Sequence, residues 1–243
     1  MAAAAPILAL AAGALAWLGV AGANLGLLSP MSGFGAFVAG VLLGGLLTVI
    51  VSLVGILLSR GGRDPRGRTK ALVGLAVGLG LLLLVLVAAA PSGDLPPIND
   101  ITTDLENPPA FASASDVPDY EGRDMSYPPE FAQDVRRAYP DLQPIQVASP
   151  PPETFARSLA VADSLGWEII YRNPTKGTFD ARDETPLFRF VDDVTVRIVL
   201  GEEGTSRVDV RSKSRDGRGD LGANAVRIRA FRDALGRDGS AKH

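Results

Sequence analysis

The chain has 243 residues, 47% of them hydrophobic, and a formal net charge of -3. It contains no cysteine, and its one histidine is the terminal His243, where chains fray. Thiol nucleophiles, disulfides and cysteine zinc sites are thereby excluded, histidine-based catalysis or metal binding is not expected, and the weak net charge tells against nucleic acid, which asks for a basic face.

The composition changes abruptly near Pro91. Before it the chain is almost continuously apolar; after it the chain is polar, Pro-rich and mixed in charge. Three apolar runs precede the break, at roughly 6–28, 34–58 and 71–90, and none holds a Lys, Arg, Asp or Glu. Each reaches the ~20 residues needed to cross about 30 Å of hydrocarbon. Residues 1–90 are thus predicted to be a membrane domain of three transmembrane helices. The first run lacks a basic leader, so it reads as a span and not as a signal peptide. The connector 28–33 is short and predicts an antiparallel helical hairpin.

The second connector holds Arg60, Arg63, Arg66, Arg68 and Lys70 against one acid, Asp64. Cations beside span ends stay in the cytoplasm. The N-terminus is therefore expected inside, and the C-terminal domain outside, a bacterial inner membrane. Each run carries a G-x-x-x-G, at Gly22/Gly26, Gly40/Gly44 and Gly74/Gly78, which predicts close packing within the bundle. Asn24 is the one strongly polar residue in the runs and is expected to bond a neighbouring helix or interfacial water. No charge within the spans favours an ion-coupled transporter.

Residues 91–127 hold Pro96, Pro97, Pro108, Pro109 and Pro118 and no clear period. They read as an extended, Pro-rich linker, although Asp100, Thr102, Thr103 and Asp104 suit Asx and Ser/Thr turns. Residues 128–243 are predicted to be an α+β domain with an antiparallel sheet and two helices on one face. Its parts are a short helix or turn over 128–139, a short strand at 145–147 and a helix opened by Ser149-Pro-Pro-Pro. Strands at 167–172 and 177–182, a long strand at 188–200, a turn at 201–204 and a strand at 207–213 follow. A helix over about 221–235 closes the chain.

In the long strand Phe188, Phe190, Val194, Val196, Ile198 and Leu200 share one face. A charged ladder of Arg189, Asp193, Arg197, Asp209 and Arg211 is expected on the other. That ladder reads either as a solvated sheet face with cross-strand ion pairs or as a groove for an anionic group, with Arg offering bidentate forks. Asp192 breaks the pattern, because alternation places it among the apolar residues. Either a bulge shifts the register there, or the carboxylate is buried and paired with Arg215, Asn224 or Arg227. Asp192, Arg211, Ser212, Ser214, Arg215, Asp220, Asn224 and Arg227 are expected to form one network where strand meets helix. A carboxylate metal site from Asp180, Asp183 and Asp220 has no diagnostic spacing, and no metal or cofactor is expected.

The motifs F-R-F-V-D-D, R-S-K-S-R and G-D-L-G-A-N-A-V-R-I resemble those of the DUF1499 family, a domain of unknown function. The resemblance runs from roughly Asp119 to Leu235, and Ile98-Asn-Asp-Ile-Thr-Thr-Asp104 is similar to a segment of bacterial members. It implies a recurring set of Phe190, Asp192, Asp193, Arg211, Ser212, Ser214, Arg215, Asp220, Asn224 and Arg227, and no activity. Members often carry His where Asn99 stands, which tells against a histidine-dependent reaction here. The leading expectation is a non-catalytic membrane-anchored module that binds an anionic envelope ligand or a partner protein. The alternatives are an envelope hydrolase using Asp192 with an Arg-stabilised anion, and a scaffold subunit whose spans dock into a larger complex.

Overall fold

The computed structural model describes residues 4–59, 64–89 and 95–240. The chain separates into two compact units, Met1–Gly93 with Thr185–Arg189, and Asp94–Glu184 with Phe190–His243.

The first unit holds three helices, α1 (Ala4–Asn24), α2 (Pro30–Leu58) and α3 (Pro65–Ala89), each long and apolar enough to cross a membrane. The α2 helix starts earlier than its apolar run because Ser29 caps it: its Oγ accepts from Ser32 N at 3.2 Å, and Pro30 fills the first turn. Within α2, Ala39–Gly44 widens into a π-helical turn. A Cβ on Gly40 would lie 2.6 Å from Ala12 O and 2.7 Å from Ala16 N, so only glycine lets α2 sit this close to α1. Gly74 likewise faces Ala5 and Ser52. Gly22 and Gly26 do not form such a pair, because Gly26 lies beyond the end of α1 with φ 69°. The basic connector is described only from Asp64 on, so Arg60 and Arg63 lie outside the described residues; Arg66, Arg68 and Lys70 are exposed on the first turns of α3.

The segment Thr185–Arg189 belongs to this first unit. The Phe188 ring stands edge-on to Phe34 and Phe37, with centroids 5.4 and 5.5 Å apart. Asn24 Nδ2 donates to Leu187 O at 2.8 Å and to Val20 O at 3.1 Å. The expected strand over 188–200 is corrected accordingly and begins at Val191. Arg189 takes a left-handed φ of 60°, which no strand residue adopts.

The second unit is α+β. In chain order it runs β1 (Asp100–Thr102), α4 (Phe131–Ala138), β2 (Ile145–Val147), α5 (Pro151–Ser164), β3 (Glu168–Asn173), β4 (Thr178–Glu184), β5 (Val191–Leu200), β6 (Ser206–Ser214) and α6 (Ala223–Ser240). The sheet is antiparallel throughout, in the order β1-β6-β5-β4-β3, and β2 also pairs with β6. Period-two alternation sends Phe179, Ala181, Val194, Val196, Ile198, Val208 and Val210 to one face. They join Val135 of α4, Phe155 and Val161 of α5, and Ile228, Phe231 and Leu235 of α6 in a single core. Trp167 stacks on Phe231 at 5.2 Å. Each buried Val, Ile, Leu or Phe among them contributes roughly 1.5–3 kcal/mol by leaving water. The helices α4, α5 and α6 all serve this core.

The segment expected to be a linker is largely part of the domain. From Leu95 onward it joins the second unit: Ile98, Ile101 and Tyr120 are buried, and Asp100–Thr102 forms an edge strand on β6. Residues 103–127 then cross the other sheet face as an irregular strap. The face expected to be solvated is therefore covered, with Asp193, Asp209 and Arg211 all buried.

Candidate functional site: two polar clusters on opposite sheet faces

The first cluster lies on the helix-bearing face, where the core stops. The register pairs Asp192 with Ser214, Val194 with Ser212, and Asp183 with Asp192. Four polar positions, Asp183, Asp192, Ser212 and Ser214, therefore follow directly on the apolar rows of the same strands. The first turns of α6 bring Asn224 and Arg227, three residues apart and so on one helix face. Arg227 donates through Nε to Asp183 at 2.8 Å, through Nη1 to Asn224 Oδ1 at 2.8 Å and Ser212 Oγ at 3.1 Å, and through Nη2 to Asp192 at 2.6 Å. Ser212 Oγ donates to Asn224 Oδ1 at 2.6 Å, and Asn224 Nδ2 donates to Ser214 Oγ at 3.0 Å. Asp220 caps α6, accepting from Gly222 N and Asn224 N at 2.9 Å each. Leu221 (φ 53°) and Gly222 (φ 85°) make the tight corner that lets it do so. Burial raises the Asp192 carboxyl above the usual carboxylate range, against the opposing pull of Arg227.

The second cluster lies beneath the strap. Arg215 forks onto Asp193 at 2.8 and 2.7 Å. Arg211 forks onto Asp100, and its guanidinium lies 4.9 Å from the Phe111 ring centroid and 5.4 Å from that of Tyr127. It also donates to the carbonyls of Pro109, Met125 and Ser126. Lys213 Nζ adds a bond to Asp100 at 3.1 Å. Further along, Arg197 bonds both Asp209 and Asp104, and Arg207 does the same. Asp180 accepts from Ala112 N of the strap at 2.8 Å, and burial pushes its carboxyl up to about 6. The Tyr120 hydroxyl is buried nearby, beside the Asp180 carboxyl. Its pKa is driven up by that burial and then by the charges of Asp180 and Asp193.

The expected single network is thus two. Asp192, Ser212, Ser214, Asp220, Asn224 and Arg227 do come together, and the partner of Asp192 is Arg227, with no bulge in β5. Arg211, Asp193 and Arg215 stand on the opposite face, because strand neighbours point opposite ways. Arg189 joins neither; it lies in the first unit, where its Nη1 donates to Asn24 O at 3.4 Å. Asp180 and Asp183 are likewise split by the sheet. Among the described residues no group of three His, Cys, Asp or Glu is placed to hold a metal. Sequence reasoning missed Asp183 and Asp100 as partners. The odd spacing of Asp183 from Asp180 in β4 was a usable signal, since one of the two had to face inwards.

Among the clefts that border these clusters, two abut Arg227 and Arg215. One, of about 450 Å³, is walled by Leu165, Trp167, Leu221 and Val226, with Asp183, Asp220 and Arg227 at its polar end. The other, of about 200 Å³, is lined by Arg123, Asp124, Asp193, Lys213 and Arg215 among others. A model of the family described as "Protein of unknown function (DUF1499)" matches residues 100–235, more than half of the chain. No curated protein matches it.

Proposed function

We propose, for a chain that belongs to the DUF1499 family of proteins of unknown function, the role of a membrane-anchored, non-catalytic module that binds a partner protein of the cell envelope. The observation that carries this reading is the cleft beside Arg227. It combines an apolar wall with a surplus of acid: Asp183 and Asp220 line it, and Arg227 is the one cation among its lining residues. Leu221 and Val226 are exposed there, at 71% and 63%. An apolar cleft with a few convergent polar groups is the usual form of a binding site. Its charge suits a partner segment that presents a Lys or Arg beside an apolar side chain.

Three further points support the reading. Asp192 is buried and closed over by Arg227, the reverse of an accessible acid or base. The forks of Arg211, Arg215 and Arg227 are spent on the protein's own carboxylates. The exposed Arg66, Arg68 and Lys70 lead the third span, which supports a topology with that end in the cytoplasm and the folded domain on the far side of a bacterial inner membrane.

A photocrosslinking residue at Leu221 in intact cells tests the site. A discrete protein adduct is expected, and Val226→Asp, which adds a like charge to the acidic cleft without touching the polar cluster, is expected to remove it. No adduct, or one that Val226→Asp leaves unchanged, would overturn the proposal. Protease added outside sealed spheroplasts tests the topology; a domain that resists until detergent is added would refute the orientation.

A further inference from the structure

We infer that the strap-covered face carries a second site, independent of the cleft beside Arg227, which binds one small anionic group, a phosphate or a carboxylate. Arg123, Lys213 and Arg215 line a single cleft of about 200 Å³, together with Asp124 and Asp193. Beyond the lining, Asp119 stands 3.7 Å from Arg215 and Asp100 3.1 Å from Lys213, so an anion is drawn here by unused N–H donors and not by a charge excess.

The two lining carboxylates are already engaged. Asp193 is held in the fork of Arg215. Asp124 accepts from Ser126 N at 2.9 Å and from Ser126 Oγ at 2.6 Å, and those bonds hold its carboxyl below the usual range. The cations, by contrast, have donors to spare. Arg215 uses Nε and Nη2, and its Nη1 finds no acceptor among the described residues. Lys213 makes one bond, to Asp100, from a group with three donors. Arg123 uses only Nε, on the carbonyl of Asp119 at 3.0 Å.

Lys213 and Arg215 are also largely withdrawn from solvent, with side chains 18% and 12% exposed. Partly desolvated cations with unused N–H groups hold an anion more strongly than water-bathed ones do. The free fork of Arg123 matches phosphate or carboxylate oxygens, Arg215 adds its remaining Nη1, and Lys213 adds a point charge. The cleft is small enough to admit a single such group and too small for an extended anionic chain. The group has two conceivable sources, a free anion or a lipid headgroup, and both present the same oxygens.

The test uses the full chain in nanodiscs of a zwitterionic lipid, with inorganic phosphate titrated at constant ionic strength against chloride and heat measured by calorimetry. Saturable binding is expected. Arg123→Ala is expected to weaken it by about tenfold or more, the loss of one or two charge-assisted hydrogen bonds, with unliganded thermal stability unchanged. Lys213→Met, which leaves Asp100 in the Arg211 fork, is expected to weaken binding likewise. A parallel arm replaces phosphate with nanodiscs containing phosphatidylglycerol. Stabilisation sensitive to Arg123→Ala in that arm alone identifies a lipid headgroup as the source. Absence of saturable binding in both arms overturns the inference, and so does binding that ignores both substitutions.

Discussion

The Arg211 guanidinium closes on the Asp100 carboxylate with two hydrogen bonds, of 2.9 and 2.7 Å, across the β1–β6 pair, and both side chains are essentially sealed from solvent. A buried ion pair of this kind is costly to break from one side, because the surviving charge is left without a partner. Asp100→Asn is therefore expected to destabilise the domain by about 3–5 kcal/mol. The double variant Asp100→Leu/Arg211→Met is expected to lose less than the two single losses combined. Denaturant unfolding followed through Trp167 fluorescence, in a Trp17→Phe background, reads both. Additive losses would show that the pair does not act as a unit.

Asp180 sets a pH dependence of unusual sign. Its carboxyl is pushed up to about 6 by burial, whereas an unfolded Asp titrates near ~3.9. Between those values the folded chain holds the proton and the unfolded chain does not. This group's contribution is thus fully favourable below about pH 4 and is lost as pH rises through about 6. Asp192 is shifted in the same direction. Asp180→Asn keeps an acceptor for Ala112 N and removes the charge. The variant is expected to be more stable than the parent at pH 7.5, by a few kcal/mol at most, with a flatter rise in stability from pH 7 to 5. A variant less stable than the parent at pH 7.5 would contradict this account.

Arg227 is the hub of the helix-face cluster, and its shape matters as much as its charge. A Lys at this position offers one point charge and cannot reach Asp183, Asn224, Ser212 and Asp192 together. Arg227→Lys is expected to lose about 3 kcal/mol or more, because Asp192 stays buried without its partner. Asp183→Asn is expected to cost less than about 1 kcal/mol, since that carboxylate is 30% exposed and water can replace the bond. Urea midpoints of the two variants should differ in that order; a reversal would move the hub away from Arg227.

The close approach of α1 and α2 depends on Gly40. Gly40→Val drives a side chain into the backbone of Ala12 and Ala16, which cannot move aside as a flexible side chain can. Gly35, on the same helix, has open space around its Cβ position and serves as the control. In detergent, Trp17 fluorescence in a Trp167→Phe background is expected to report a lowered unfolding temperature for Gly40→Val and little change for Gly35→Val. Equal effects would remove the packing argument.

Much of this architecture was legible in the residues. The length and charge-free character of the apolar runs identified the helices. Period two in β5 and β6 separated the sheet faces, and the one misplaced acid, Asp192, called for either a bulge or a buried partner; the structure has the partner, Arg227. What could not be read has physical causes. The strap over 103–127 has no regular elements long enough to impose a period; its order comes from Asp180, Arg211 and Arg197, far away in sequence. The pattern F-R-F continued the alternation of β5 and concealed the turn, whose left-handed Arg189 is invisible to hydrophobic periodicity. The division of the charged residues into two clusters was implicit in the alternation itself. It was obscured because Arg211, Ser212, Ser214 and Arg215 are adjacent in the chain.

The pairing of β1 with β6 also has a consequence for biogenesis. Lys213 and Asp100, which are joined directly, are 113 residues apart. As the nascent chain leaves the ribosome, the segment around Asp100 appears long before the strand it must lie against. Contacts of such span fold slowly, so this stretch has to be kept from stray associations until translation is nearly complete. A fragment that stops before Ser206 would lack the central partner of three strands, and turnover by quality-control proteases is its expected fate.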